Sequence, residues 1–110
     1  MMNVLKDIPY QAERMGRREV ANTDQVLIMQ IALRPGQSVP PHKANAAIVH
    51  LLVLSGGLTV DLDAKVYAMA AGDLLPVTGG VSMKISNAVE ADTTFLVIKA
   101  PNPAMYKLKD

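Results

Sequence analysis

The amino-acid sequence predicts an all-β fold, a sandwich or jelly-roll barrel built from short strands. No window of helical length keeps its apolar residues at a 3.6-residue period, and glycine and proline interrupt the chain at short intervals. The segments between these interruptions either alternate apolar and polar residues or are continuously apolar. Many short strands with regular turn signals are typical of sandwiches and barrels.

The first predicted strand covers residues 25–34. Its alternate positions form a fully apolar row of Leu27, Met29, Ile31 and Leu33, and Pro35-Gly36 ends it. The opposite row is also partly apolar, so we expect one face to be buried and the other to be partly covered.

A hairpin is predicted next. Residues 47–55 form a nearly continuous apolar strand, and the pair Gly56-Gly57 allows the positive φ of a tight turn. Residues 58–62 then alternate apolar and polar side chains, as a strand that pairs back would.

Four more strands are predicted over residues 66–69, 74–77, 81–86 and 93–99, with turns at Gly72-Asp73 and Gly79-Gly80. The ends of the chain, 1–22 and 101–110, are less patterned. We expect these arms to cover an open edge or to cross to a partner subunit. The whole chain, 1–110, is predicted to be one domain, because 110 residues suffice for a single core.

Composition excludes several classes of function. The chain has no cysteine, so disulfides, thiolate metal sites and a cysteine nucleophile are excluded, and a cytoplasmic location is predicted. The longest apolar run, 46–54, contains His50 and is too short to span a bilayer, so no membrane association is predicted. The net charge of +1 gives no field that attracts nucleic acid. The basic cluster of Arg14, Arg17 and Arg18 is interleaved with glutamates and is predicted to be a solvated face.

Two spaced motifs identify a family resemblance. In the first, Gly36, His42 and Gly56 stand in register, and in the second, Gly72, Gly80 and Asn87 do so. Together they resemble the two motifs of the cupins, which are small jelly-roll barrels. The resemblance covers residues 27–98 and implies the cupin double-stranded β-helix.

The same comparison implies that the metal ligands of the family are missing. Of the four ligand positions only His42 is retained, because Ala44 takes the second histidine position, Val49 the glutamate position and Met83 the distant histidine position. A divalent ion needs three or four nitrogen or oxygen donors to offset its dehydration. We therefore predict no metal site of the family type and no cofactor.

The leading interpretation is a cupin barrel of undetermined activity that binds a small molecule in an apolar pocket. The predicted ligand-binding residues are His42 as the polar group, with Ala44, Val49 and Met83 as the lining. The sequence does not identify the ligand, and it leaves open whether the protein is an enzyme.

Two alternatives remain open. In one, His42, His50 and Met83 form an off-pattern, copper-type metal site in an oxygenase or isomerase, which requires the three side chains to converge within about 4 Å of one point. In the other, the protein is a non-catalytic interaction module that dimerises through the outer face of residues 47–55. A homodimer is expected in any case, because strands that are apolar on both faces need a second cover.

Overall fold

The computed structural model describes residues 1–105, which form an all-β structure of nine antiparallel strands. Among these residues there is no helix, and so none long or apolar enough to cross a membrane. The strands are β1 Gly16–Asn22, β2 Leu27–Leu33, β3 Ser38–Lys43, β4 Ile48–Ser55, β5 Gly57–Leu62, β6 Lys65–Ala70, β7 Leu74–Thr78, β8 Ser82–Ser86 and β9 Thr93–Ala100.

The strands form two sheets that face each other as a jelly-roll barrel. One sheet has five strands in the order β1-β2-β9-β4-β7, and the other has four in the order β3-β8-β5-β6. Their inner faces enclose an aliphatic core, and among its buried residues in the described part of the chain Phe95 is the only aromatic one. The largest fully buried apolar side chains are Phe95, Leu33, Leu51, Ile85, Val49, Val53, Val60 and Val77. The predicted all-β barrel is therefore confirmed.

The predicted hairpin pairing of residues 47–55 with 58–62 is wrong, because β4 pairs with β7 and β9 while β5 pairs with β6 and β8 in the other sheet. The chain passes from one sheet to the other at Gly56, a glycine that no other residue could replace without strain. Gly56 has a φ of +81°, and a Cβ at this position would collide with the Thr93 hydroxyl and the Asp92 carbonyl. The neighbouring Gly57 amide donates to Thr93 Oγ1 at 3.0 Å, and that hydroxyl donates to the Gly57 carbonyl at 3.0 Å. These two hydrogen bonds hold the turn against the start of β9.

Two strands, β1 and β3, were not predicted from the sequence. β1 lies within the segment expected to be an arm, and its polar composition, GRREVAN, hides its alternation. β3 contains Pro40 and Pro41, and its pairing with β8 shifts register between Val39 and His42. Proline removes a ladder donor, and this edge strand tolerates it because its register is broken at that point.

The N-terminal arm is hydrogen-bonded to the outer face of the five-stranded sheet through the carbonyls of Val4, Lys6 and Asp7. Gln30 is completely buried there, and its Nε2 donates to the Val4 carbonyl at 2.7 Å. Its Oε1 accepts from Arg18 Nε at 2.8 Å, while Arg18 also donates to the carbonyls of Asp7 and Lys6. The N-terminal arm therefore covers its own sheet. Of the predicted C-terminal arm, 106–110 lies outside the described residues.

Candidate ligand-binding site in the barrel

A cavity of about 300 Å³ lies between the two sheets. Its size is at the lower end of the range for small-molecule sites, about 300–1,000 Å³. Most of the lining is apolar, and three polar side chains, those of Arg17, His42 and Lys99, join it. The apolar lining consists of Met15, Met29, Ile31, Val39, Pro40, Pro41, Leu51, Met83, Ile85, Phe95 and Val97.

Strand parity explains how β9 contributes both apolar and charged groups to this cavity. Phe95, Val97 and Lys99 occupy alternate positions and so share the inner face of the sheet. Their Cα partners on β2 are Ile31, Met29 and Leu27, of which the first two also line the cavity. The inward row of β9 therefore leads from a buried aromatic ring to an ammonium group.

His42 stands at the rim of the cavity with a defined tautomer. Its side chain is exposed, and its Nδ1 lies 3.0 Å from the Pro40 carbonyl oxygen. Because a carbonyl can only accept, Nδ1 carries the proton in this arrangement. In the neutral form of the ring Nε2 is then an acceptor, which suits a hydroxyl or amide donor on a bound molecule.

The four predicted lining residues fall into two pairs. His42 and Met83 are Cα partners across β3 and β8, and both line the cavity. Ala44 and Val49 are almost completely buried in the core, and neither contributes to the cavity wall. Ala44 instead supports the Gly79-Gly80 turn, because its amide donates to Val81 and its carbonyl accepts from Gly80, both at 2.9 Å.

The structure does not bring together His42, His50 and Met83. His50 is half-buried and lies on the opposite face of β4 from Val49 and Leu51, outside the cavity lining. Within residues 1–105 no group of three or more histidine, cysteine, aspartate or glutamate side chains could hold a metal ion. One imidazole and a thioether are too few donors for a family-type divalent metal, so these residues do not fit one.

Two basic residues of the cavity, Arg17 and Lys99, were not predicted to belong to the site. Arg17 lies on β1, in the cluster that was expected to be a solvated face, and Lys99 lies near the end of β9. Burial lowers the pKa of Lys99, and the nearby Arg17 guanidinium lowers it further. The alternation of Phe95, Val97 and Lys99 in the sequence could have revealed the inward position of Lys99.

No acidic side chain lines the cavity to balance these two cations. Glu19 follows Arg17 on β1, but its carboxylate is exposed and accepts from Asn22 Nδ2 at 3.3 Å. In the part of the chain that the structure describes, Arg34 and Asp92 form the one ion pair, at 3.1 Å. Neither Arg17 nor Lys99 is therefore paired with a carboxylate of residues 1–105.

Comparison with known proteins agrees with the fold and the motifs. Residues 29–99 match the family model described as a cupin domain. An uncharacterized protein of Methanocaldococcus jannaschii, MJ0764, is 34% identical over 86 residues, which are 77% of this chain and 73% of that protein.

Solved structures show the same barrel. The crystal structure of the RmlC-like cupin family protein mj0764 from M. jannaschii, with a double-stranded β-helix fold, has a TM-score of 0.77 at 28% identity and covers 94% of this chain and 95% of its own. An uncharacterized conserved protein with a double-stranded β-helix domain from Klebsiella pneumoniae has a TM-score of 0.85 at 19% identity, covering 100% and 97%. With the jelly-roll topology and the two motifs, these matches show that the chain belongs to the cupin family.

Proposed function

We propose that this cupin binds a small molecule in the barrel cavity without a metal of the family type. The observation that carries the proposal is the cavity itself, about 300 Å³ in volume, apolar on most sides and bordered by the His42 imidazole. An apolar pocket with a few convergent polar groups is the usual form of a small-molecule site. The residues that hold the molecule are His42 and Met83 together with the apolar rows of β2 and β9.

Methionine methyl groups provide a direct test. Met15, Met29 and Met83 line the cavity, whereas Met69 and Met105 do not. We expect phenylacetamide, a neutral apolar probe, to shift the methyl resonances of the first three in protein labelled with ¹³C at the methionine methyls. Met69 and Met105 serve as internal controls.

The proposal fails if phenylacetamide and its carboxylate counterpart phenylacetate both leave the three cavity methyls unmoved. Equal shifts of all the methionine methyls would also contradict it, because they would indicate nonspecific association. Saturable shifts confined to Met15, Met29 and Met83 support binding inside the barrel.

We also propose a homodimer, formed through the uncovered half of the five-stranded sheet. Within residues 1–105 the N-terminal arm is hydrogen-bonded to β1 and β2, whereas Ile48 on β4 and Leu74 on β7 remain 45% and 56% exposed. The outward positions of β4, β7 and β9 carry no Asp, Glu, Lys or Arg, and His50 is their one ionisable side chain. Two copies can therefore meet on this patch without burying an unpaired ion, and a second copy of the chain is the partner that its neutrality fits.

Light scattering coupled to size-exclusion chromatography checks the dimer. We expect twice the mass of the chain for the wild type and the mass of one chain for the Ile48→Lys, Leu74→Lys double variant, because lysine would place charges in the interface. Val66→Lys is the matched control, since Val66 is 62% exposed on the other sheet. A monomeric wild type, or a dimeric double variant, contradicts the proposal.

We propose a cytoplasmic location as well, which recovery of the protein in a membrane fraction would contradict.

A further inference from the structure

The side chains that line the barrel cavity carry positive charge without a compensating negative charge, and this indicates the charge of the ligand. Two side chains of the lining, Arg17 and Lys99, are basic and none is acidic. We infer that the cavity takes a small monocarboxylic acid with an apolar body, whose carboxylate is bound by Lys99 and Arg17. This inference rests on the proposed binding function and specifies the class of ligand.

The position of Lys99 determines the orientation in which the ligand would bind. Phe95 and Val97 precede it on the same inward row of β9, and Leu51 faces Val97 from β4. An apolar body fits over these three side chains, and the carboxylate then reaches the end of the row where the ammonium lies. Arg17, which enters from β1, adds a planar guanidinium that can bind a carboxylate through two parallel hydrogen bonds.

The electrostatics of the two cations favour an anion between them. Partial burial and the neighbouring guanidinium both lower the pKa of Lys99, which means that its charged form is disfavoured in the empty cavity. A carboxylate relieves both penalties, since it supplies an opposite charge to the desolvated ammonium and separates it from the guanidinium. A neutral ligand would exclude water from Lys99 and leave its charge unpaired.

The same electrostatic argument favours a carboxylate over a doubly charged phosphate ester as the ligand. Each additional charge brought into an apolar cavity costs desolvation free energy. The lining offers one partly desolvated ammonium and one exposed guanidinium among eleven apolar residues. A monoanion with an apolar body matches this balance better than a compact dianion does.

The residue that takes the place of the family's glutamate supports this inference. Val49 stands in that position and is the Cα partner of Lys99 on β9. A carboxylate here would pair with the ammonium and neutralise it. Valine leaves Lys99 available to a ligand, so the positive charge of the cavity is supplied by side chains and no metal is required.

The test compares two probes of nearly the same shape, one an anion and the other a neutral amide. Phenylacetate is ionised at neutral pH, whereas phenylacetamide carries no charge. From titrations of the Met15, Met29 and Met83 methyls, we expect phenylacetate to bind the wild-type protein at least about tenfold more tightly. Raising the salt from about 50 mM to about 500 mM should weaken phenylacetate binding and leave the amide unaffected.

Variants then assign the preference to the two cations. Lys99→Gln and Arg17→Gln should each remove most of the preference for phenylacetate, measured in each variant as the ratio of the two dissociation constants. Lys84→Gln is the matched control, because Lys84 is an exposed residue of β8 outside the cavity lining and its loss changes the net charge equally. Arg17 is exposed, so its variant keeps the test valid if Lys99→Gln does not fold.

The outcomes separate this inference from the proposed function. If the acid and the amide bind equally, the carboxylate assignment is overturned while binding in the barrel stands. If neither Lys99→Gln nor Arg17→Gln reduces the preference, the assignment is also overturned. If neither probe shifts the cavity methyls, the proposed function fails and this inference fails with it.

Discussion

Replacing Asn87 by alanine is expected to lower the free energy of unfolding by about 3 kcal/mol. Asn87 is 1% exposed, and its Nδ2 donates to the carbonyls of Leu33 at 3.0 Å and Ala91 at 2.8 Å. Its Oδ1 accepts from the Val89 amide at 3.0 Å. Alanine would leave these backbone groups without their partner, at a cost of about 1–3 kcal/mol for each one that stays buried.

Urea unfolding followed by circular dichroism measures the effect, and Asn45→Ala is the matched control. Asn45 is exposed and no hydrogen bond of its side chain occurs among the described residues, so its change is expected to stay within about 0.5 kcal/mol. A loss below about 1 kcal/mol for Asn87→Ala, comparable to the control, would show that the side-chain amide does not hold the end of β8 to β2.

Asn87 and Gly56 explain why the family resemblance is reliable for the fold and uninformative for chemistry. Both are motif residues that the chain retains, and both have structural roles: Asn87 ties together three backbone groups, and Gly56 supplies a left-handed turn with no room for a Cβ. Apart from Thr78, which takes the place of the proline in the second motif, the motif positions that differ are three of the four ligand positions. The chain therefore keeps the scaffold residues while losing most of the ligand residues.

The strands that form the core could be predicted because their sequences alternate strictly or are continuously apolar. The predicted strands 47–55 and 58–62 agree with β4 and β5 to within one residue at each end. Their predicted pairing as a hairpin is wrong, because an alternating pattern does not show which strand is the partner, and β5 joins the other sheet. β1 and β3 could not be predicted in this way. Their residues are mostly exposed, and the two prolines of β3 argue against a strand unless its broken register is known.

The site was harder to predict than the fold because it depends on which residues meet across strands. His42 and Met83 were expected at the cavity, and the structure brings them together as partners on β3 and β8. Arg17 was interpreted as part of a solvated cluster, because the arginines around it are interleaved with Glu13 and Glu19. Its place on the cavity wall follows only from the pairing of β1 with β2.

We propose that the barrel binds its ligand through apolar contacts and cationic side chains and does not depend on a metal. The family's ligand positions hold His42, Ala44, Val49 and Met83, and His50 faces away from the cavity. Such a donor set does not offset the dehydration of a divalent ion. We therefore expect wild-type protein to keep no stoichiometric metal through purification.

Elemental analysis of untagged protein prepared without chelator is the most direct measurement of this claim. The expected result is a content of copper, nickel, zinc, iron and manganese far below one atom per chain, with His42→Ala giving the same value as the wild type. About one atom per chain of any of these metals in the wild type, lost in His42→Ala, would contradict the claim and identify His42 as a metal ligand.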